Sequence, residues 1–219
     1  MHFLKYVTLI PWYIKRQGLT GFLKAGWDRI WHNVNNNDYL YVYDLQNNVI
    51  PNITSEQDLS VQSFIDFDSI PPGILEQLIQ NKAKDIVIPF LKRFFKKGAI
   101  LWVALKQNTV LGLQWTQTGA KKRFHSIPLL DNDAIILASE VFVQYRGRNI
   151  WPSLMRQTLL QLLDSGIRRV YIMTNVNNKS MQRSIRKTGA KLLGAVRTIS
   201  LFGNYVSVWN KKSVVIHNV

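Results

Sequence analysis

Residues 134–154, with the sequence AIILASEVFVQYRGRNIWPSL, are the most informative part of the chain. Its first ten residues are almost continuously apolar, which is typical of a strand buried on both faces of a sheet. Gly147 then permits a tight turn, and Pro152 suits the first turn of an amphipathic helix that ends near Gly166. The amide N–H groups at the start of such a helix, together with the helix dipole, favour a phosphate. A basic strand-to-helix turn with a glycine for geometry is the alternative interpretation.

The sequence on either side continues the alternation of strands and helices. Apolar residues recur with the period of a strand in residues 39–45, 100–106, 109–118, 169–174, 192–201 and 204–209. Helices are predicted over residues 152–164 and 180–187, and over residues 71–95 with a break or kink at Pro89. Residues 46–69 predict little regular structure. The order of strands and helices in the second half of the chain predicts an α/β protein.

Composition narrows the possible functions. The chain of 219 residues carries 28 Lys and Arg against 13 Asp and Glu, a net charge of +15, and it has no cysteine. The absence of cysteine excludes disulfides, thiolate metal sites and a cysteine nucleophile. The four histidines are scattered, so no metal site is predicted. The charge favours an anionic ligand or surface, but no nucleic-acid recognition motif is visible.

The amino-terminal residues differ from the remainder. Residues 1–37 predict a basic amphipathic helical segment, and residues 38–219 predict the folded domain. Residues 1–33 carry five basic side chains and one acid, so they fit either packing on the domain or peripheral contact with an anionic membrane. The apolar run at residues 7–14 is too short to span a bilayer. We therefore expect a cytoplasmic protein.

Two motifs carry a family resemblance. The first is Val141-x-Val143-Gln144-x-Arg146-Gly147-x-Asn149, and the second is Asn178-x-x-Met181 with Gly189 eleven residues after the asparagine. In this order, with a helix and a strand between them, they resemble the GNAT (GCN5-related) superfamily of N-acetyltransferases. The hairpin at residues 101–115 also resembles the second and third strands of that family. Asn149 and Trp151 stand where the family prefers glycine, and Ile185 stands where it often has a tyrosine that protonates the leaving thiolate.

The resemblance implies a GNAT-like acyl-CoA N-acyltransferase fold, with an α+β mixed sheet that splays at one point. Acetyl-CoA would enter the V-shaped gap beside residues 134–143, with no metal. Backbone groups of Val141, Phe142 and Val143 would meet the pantetheine arm, and Asn178 would fix its far side. The pyrophosphate would be held by the backbone of the residues that follow, namely Arg146, Gly147, Arg148, Asn149, Ile150 and Trp151.

The chemistry that the resemblance implies is direct attack of an amine on the thioester. Glu140 is the candidate base, because it is the only acid between Asp133 and Asp164 and lies in an apolar strand. It would otherwise point outward and pair with a nearby arginine. The acceptor is a primary amine of unknown identity: an amino sugar, a nucleotide sugar, a metabolite or a protein amine, with an anionic one favoured by charge. The alternative function is a weak or inactive GNAT-like basic module that binds nucleic acid or an anionic membrane.

Overall fold

The computed structural model describes residues 36–47, 50, 59–82, 84–119, 129–201 and 204–209. The strands are β1 (Asn36–Asp44), β2 (Ser60–Phe64), β3 (Ile100–Lys106), β4 (Thr109–Thr118), β5 (Asp133–Val141), β6 (Arg169–Asn175), β7 (Lys191–Leu201) and β8 (Asn204–Trp209). The helices are α1 (Pro72–Lys82), α2 (Lys84–Lys96), α3 (Ile150–Asp164) and α4 (Lys179–Lys187). The helical segment predicted for residues 1–37 lies outside the described residues, except that β1 begins at Asn36.

All eight strands form one sheet in the order β2-β3-β4-β5-β6-β1-β7-β8. β5 and β6 are parallel and joined by α3, whereas the other neighbouring pairs are antiparallel. The predicted mixed sheet is confirmed. The predicted hairpin is also confirmed, and its turn residues Gln107 and Asn108 both have positive φ angles, as a tight two-residue hairpin turn requires.

The parallel pair β5–β6 is short compared with its strands. β5 has nine residues and β6 has seven, but they pair over only four positions, from Asp133↔Arg169 to Ile136↔Ile172. A register shift against β4 leaves Leu137 as a bulge at the point where the pairing ends. Beyond it, β6 stays paired with β1 while β5 stays paired with β4. The sheet therefore splays between β5 and β6.

One prediction about burial is wrong because of this splay. The strand predicted to be buried on both faces is buried only over residues 133–136, and residues 137–141 are half-buried. The sequence of the second half is equally apolar until Ser139, so composition does not explain the change. The cause is the loss of β6 as a neighbour.

An ion pair closes the other end of the splay. The fully buried Asp133 accepts hydrogen bonds from Arg169 Nε at 2.9 Å and from the backbone N–H of Leu130 at 3.0 Å. One residue before each strand, the Arg168 N–H donates to the Asn132 carbonyl at 2.8 Å. These contacts join the amino-terminal ends of β5 and β6, so the strands can separate only at their carboxyl-terminal ends.

Helices cover both faces of the sheet. α3 and α4 lie on one face, where Leu154, Met155 and Ile185 are fully buried in a common core. α1 and α2 lie on the other face, where Leu78 and Leu91 pack in a second core around Trp115. The site described below depends on this difference between the two faces.

Two sequence predictions upstream are wrong in detail. The stretch at residues 71–95 forms two helices, with α1 ending at Lys82 and α2 beginning at Lys84, and the predicted break at Pro89 does not occur. Pro89 has no N–H to donate to the Asp85 carbonyl one turn earlier. Both residues are exposed, so water can hydrogen-bond that carbonyl instead. In residues 46–69 the sequence predicted little structure, but Ser60–Phe64 form β2 on the edge of the sheet beside β3.

The Asp133–Arg169 pair gives a stability prediction. Replacing Asp133 by Ala leaves the half-buried Arg169 guanidinium and the Leu130 N–H without their acceptor, so we expect the free energy of unfolding to fall by about 2 kcal/mol. Urea denaturation measures this change. The matched control is Asp131→Ala, which removes an exposed acid from the same turn and should change the free energy by less than about 0.5 kcal/mol. Equal effects of the two substitutions would contradict a clamping role for Asp133.

Candidate functional site

A cleft of about 610 Å³ lies where β5 and β6 diverge. Its walls are the end of β5, the loop and first turn leading into α3, and one side of α4. It opens on the face of the sheet that α3 and α4 cover. Hereafter this space is called the cleft.

The edge of β5 presents backbone groups to the cleft. The Phe142 N–H donates to the Leu111 carbonyl of β4 at 3.0 Å, and hydrogen-bonding directions alternate along a strand. The N–H and C=O groups of Ser139 and Val141 therefore face the side that β6 has left. The Val141 carbonyl accepts a hydrogen bond from Arg146 Nε at 3.1 Å. Phe142 itself is not available to a ligand, because its N–H is used and its ring is buried.

The loop into α3 turns through two left-handed residues. Gly147 has a φ of 80° and Asn149 a φ of 55°, conformations that glycine and asparagine adopt at lower cost than other residues. A Cβ at Gly147 would meet nothing within 4 Å, so the glycine serves the backbone conformation and not the space around it. Asn149 therefore adopts the left-handed conformation that this turn requires without a glycine.

The start of α3 leaves hydrogen-bond donors exposed to the cleft mouth. Asn149 is the N-cap but its side chain makes no capping hydrogen bond, and the first bond of the helix runs from Ser153 N–H to the Asn149 carbonyl at 3.2 Å. The amides of Ile150 and Trp151 consequently have no acceptor within the helix. Pro152 contributes no donor. Two free amides at the positive end of a helix dipole suit an anionic group.

Trp151 is accommodated by turning its ring into the protein. The residue is 7% exposed and packs in the core beneath α3, and its Nε1 has no hydrogen-bond partner. Trp151 is nevertheless one of the residues that line the cleft. The bulky side chain therefore does not obstruct the helix terminus.

α4 supplies the basic wall of the cleft. Ser180, Arg183, Ser184 and Lys187 line it, and their spacing places them on one face of the helix. The opposite face carries Ile185, which is fully buried.

Several hydrogen bonds hold α4 in place at its two ends. At the amino-terminal end, Asn178 Oδ1 caps the helix by accepting from Met181 N–H at 3.1 Å, and Gln182 Nε2 donates to the Val176 carbonyl at 2.8 Å. At the carboxyl-terminal end, the Tyr43 hydroxyl is hydrogen-bonded to Thr188 Oγ1. Burial raises the pKa of Tyr43, so this hydroxyl keeps its proton.

The structure brings together seven of the predicted site residues as cleft lining: Val141, Arg146, Gly147, Asn149, Ile150, Trp151 and Asn178. Phe142 is buried in the core under α1 and α2, Val143 is 72% exposed, and Arg148 is exposed outside the lining. Sequence reasoning missed Ser139, Ser180 and Arg183. The four-residue spacing of Ser180 and Ser184 on a predicted helix was a signal that could have identified that wall.

Glu140 lies on the opposite face of the sheet from the cleft lining. It is the cross-strand partner of Leu113, whereas Ser139 is the partner of Gln114. Leu113 packs in the core under α1 and α2, and cross-strand partners share a face. The candidate base and the cleft therefore lie next to each other along β5 but on different sides of it.

Comparison with known proteins supports the fold. No protein-family model matches the chain, and no curated protein matches it. An acetyltransferase from the GNAT family of Colwellia psychrerythraea is 13% identical with a TM-score of 0.51, covering 87% of this chain and 62% of that chain. A GCN5-related N-acetyltransferase from Sphaerobacter thermophilus is 14% identical with a TM-score of 0.50, covering 88% of this chain and 56% of that one.

A third solved structure is a GCN5-related glucosamine N-acetyltransferase region in a fungal multi-domain GH3 β-N-acetylglucosaminidase. It is 15% identical with a TM-score of 0.52, and the match covers 80% of this chain and 22% of that chain. The chain thus spans less than two thirds of each of the three. The fold is that of the GNAT acetyltransferases, as the sequence resemblance implied.

Within the described ranges, each helix is too short or too polar to span a bilayer.

Gly112 gives a prediction for the β5 edge of the cleft. A Cβ at this position would lie 2.6 Å from the Glu140 carbonyl oxygen and 3.1 Å from Val141 Cα. Gly112→Ala must therefore push β5 away from β4, and we expect it to lower the free energy of unfolding by about 1–3 kcal/mol. Chemical denaturation measures the loss. In the control Gly73→Ala, the new Cβ in α1 meets nothing within 4 Å, so stability should hold or rise; similar losses for both variants would contradict close packing at Gly112.

Proposed function

We propose that this protein is an N-acyltransferase that transfers an acetyl group from acetyl-CoA to a primary amine by direct attack. The observation that carries the proposal is the cleft at the splay, with free amides of α3 at its mouth and a basic wall on α4. The GNAT fold supports the reaction class. The donor and the acceptor are inferences from the chemistry of the site.

The residues of the cleft fit coenzyme A. Its pyrophosphate matches the free amides of Ile150 and Trp151, and Arg183 and Lys187 supply positive charge beside them. Its pantetheine arm carries amide groups that can hydrogen-bond the backbone of Ser139 and Val141 along the open edge of β5. The cleft narrows where β5 and β6 meet, so the thioester would lie at that end.

The reaction needs an amine, a proton acceptor and a leaving thiolate. The amine nitrogen forms a bond to the thioester carbonyl carbon, the carbon–sulfur bond breaks, and the amine gives up one proton. Glu140 would accept that proton from an amine approaching on the α1 and α2 face, while the donor occupies the other face. Ile185 is buried and has no proton to give, so the thiolate would take its proton from water.

The acceptor class follows from charge. Lys92, Arg93, Lys96 and Lys97 are exposed on or just after α2, the helix that packs on the same face of the sheet as Glu140. These side chains favour an anionic acceptor, such as a nucleotide-linked amino sugar, over a cationic one. Peripheral membrane contact through residues 1–33 stays a prediction from the sequence.

Acetyl-CoA binding is the first test. We expect isothermal titration calorimetry to give micromolar affinity, and Gly147→Val to weaken it at least tenfold, because the left-handed backbone at Gly147 costs a branched residue about 1–2 kcal/mol and moves the donors. Gly166→Val is the matched control. Gly166 has a φ of 84° with nothing within 4 Å of a Cβ, but it lies at the far end of α3, so binding should survive.

The basic-module alternative predicts a different result in the same experiment. It predicts no acetyl-CoA binding by the wild-type protein, together with salt-sensitive affinity for DNA or for vesicles that contain an anionic lipid. That outcome would remove the enzyme proposal.

The role of Glu140 needs a turnover assay. Labelled acetyl-CoA is incubated with a panel of amino sugars, nucleotide amino sugars and peptides with free amines. With an accepted amine, Glu140→Gln should lower kcat about a hundredfold, since general base catalysis contributes roughly that much, and leave the acetyl-CoA affinity unchanged. Glu76→Gln, an exposed acid on α1, should leave kcat unaltered. Unchanged turnover of Glu140→Gln at all pH values would exclude it as the base.

A further inference from the structure

A fully buried amide lies behind the cleft. Gln114 is at the centre of β4, with Trp102 of β3 and Ser139 of β5 as its cross-strand partners, and it is 0% exposed. It lies on the same face of the sheet as α3. Burying a primary amide costs free energy unless its donors and acceptor are all hydrogen-bonded.

The hydrogen bonds of Gln114 are few for a buried amide. Ser139 Oγ donates to Gln114 Oε1 at 3.0 Å, and Gln114 Nε2 contacts Met155 Sδ at 3.9 Å. A thioether sulfur is a weak acceptor. An apolar side chain at this position would avoid the free-energy cost of burying a poorly hydrogen-bonded amide. The Gln114–Ser139 pair is therefore better explained by a role in the cleft.

Ser139 connects this amide to the cleft. It is half-buried, it lines the cleft, and it belongs to the part of β5 that has lost β6. Because its hydroxyl proton points to Gln114, the lone pairs of Oγ remain for a donor group in the cleft. Held in this way, Ser139 Oγ repels a phosphate oxygen and accepts a hydrogen bond from an N–H group.

We propose that Ser139 Oγ accepts a hydrogen bond from an amide N–H of the pantetheine arm, and that Gln114 is the positioning residue that holds the hydroxyl for it. The inference rests on the proposed function, since it requires an acyl-CoA donor in the cleft. It adds a side-chain contact to the backbone contacts of β5, and it makes the cleft select a ligand with an amide-bearing arm and not merely a phosphorylated nucleotide.

The experiment compares two probes that share the phosphates. Coenzyme A carries the pantetheine arm, and adenosine 3′,5′-bisphosphate does not. Ser139→Ala and Gln114→Met should each raise the Kd of coenzyme A about threefold to tenfold, the value of one hydrogen bond, with the bisphosphate within about twofold of wild type. The double variant should lose no more than the larger single loss, because the two residues act through one hydrogen bond.

The matched control is Thr116→Val. Thr116 is also fully buried in β4 and accepts a hydrogen bond from Trp102 Nε1 at 2.8 Å, but its partner Ile136 lies where β5 and β6 are still paired. This variant loses a buried hydrogen bond away from the cleft. It should lower the thermal midpoint and leave the binding of both probes unchanged.

The failure of this inference is distinguishable from failure of the proposed function. Wild-type protein that does not bind coenzyme A overturns both. Wild-type binding with unchanged coenzyme A affinity in Ser139→Ala overturns only the role of the pair. Equal weakening of coenzyme A and the bisphosphate overturns it as well, because it would mean that the substitutions disturb the whole cleft.

Discussion

The parallel pairing of β5 and β6 stops after four residue pairs, and the site depends on this limit. The buried Asp133 holds Arg169 and the loop before β5 at one end, and the bulge at Leu137 marks the point where the strands part. If β5 and β6 paired over more residues, their backbone hydrogen bonds would close the gap that forms the cleft. The interruption instead leaves the N–H and C=O groups of Ser139 and the N–H of Val141 facing an open space, and unpaired strand-edge groups accept an extended partner.

The connection from β5 to α3 brings the unpaired amides of a helix start to the cleft that this edge lines. The chain leaves the sheet at Phe142, passes through the left-handed residues Gly147 and Asn149, and begins α3 with amides that have no internal acceptor. α4 completes the site because its buried Ile185 turns Arg183 and Lys187 towards the cleft. The donors and the positive charge come from different segments that meet only in the folded protein.

The side chains at the end of β5 alternate between the two faces of the sheet. Ser139 and Val141 line the cleft under α3 and α4, and Glu140 lies between them on the face of α1 and α2. Strand alternation alone produces this arrangement, because successive side chains point to opposite faces. In the proposed reaction, the acyl donor and the amine would therefore approach β5 from different faces.

Much of the fold could be predicted from the sequence, because strand and helix periods are local properties. The hairpin around Gln107 and Asn108, the strand before Gly147, the amphipathic α3 and the left-handed tolerance of Asn149 all follow from residues close together in the chain. The site was predicted in part for the same reason, since Gly147, Asn149 and Asn178 belong to local motifs. Ser139 and Arg183 were not predicted, because their roles depend on which neighbour each face meets.

Local sequence patterns predicted most of the strands and helices, the basic turn and the exclusion of cysteine chemistry. Tertiary packing settled where β6 leaves β5, which way the Trp151 ring turns, and on which face of the sheet Glu140 lies. These outcomes depend on strand pairing and on competition for buried space between residues far apart in the chain. Local pattern contains no information about where a partner strand ends.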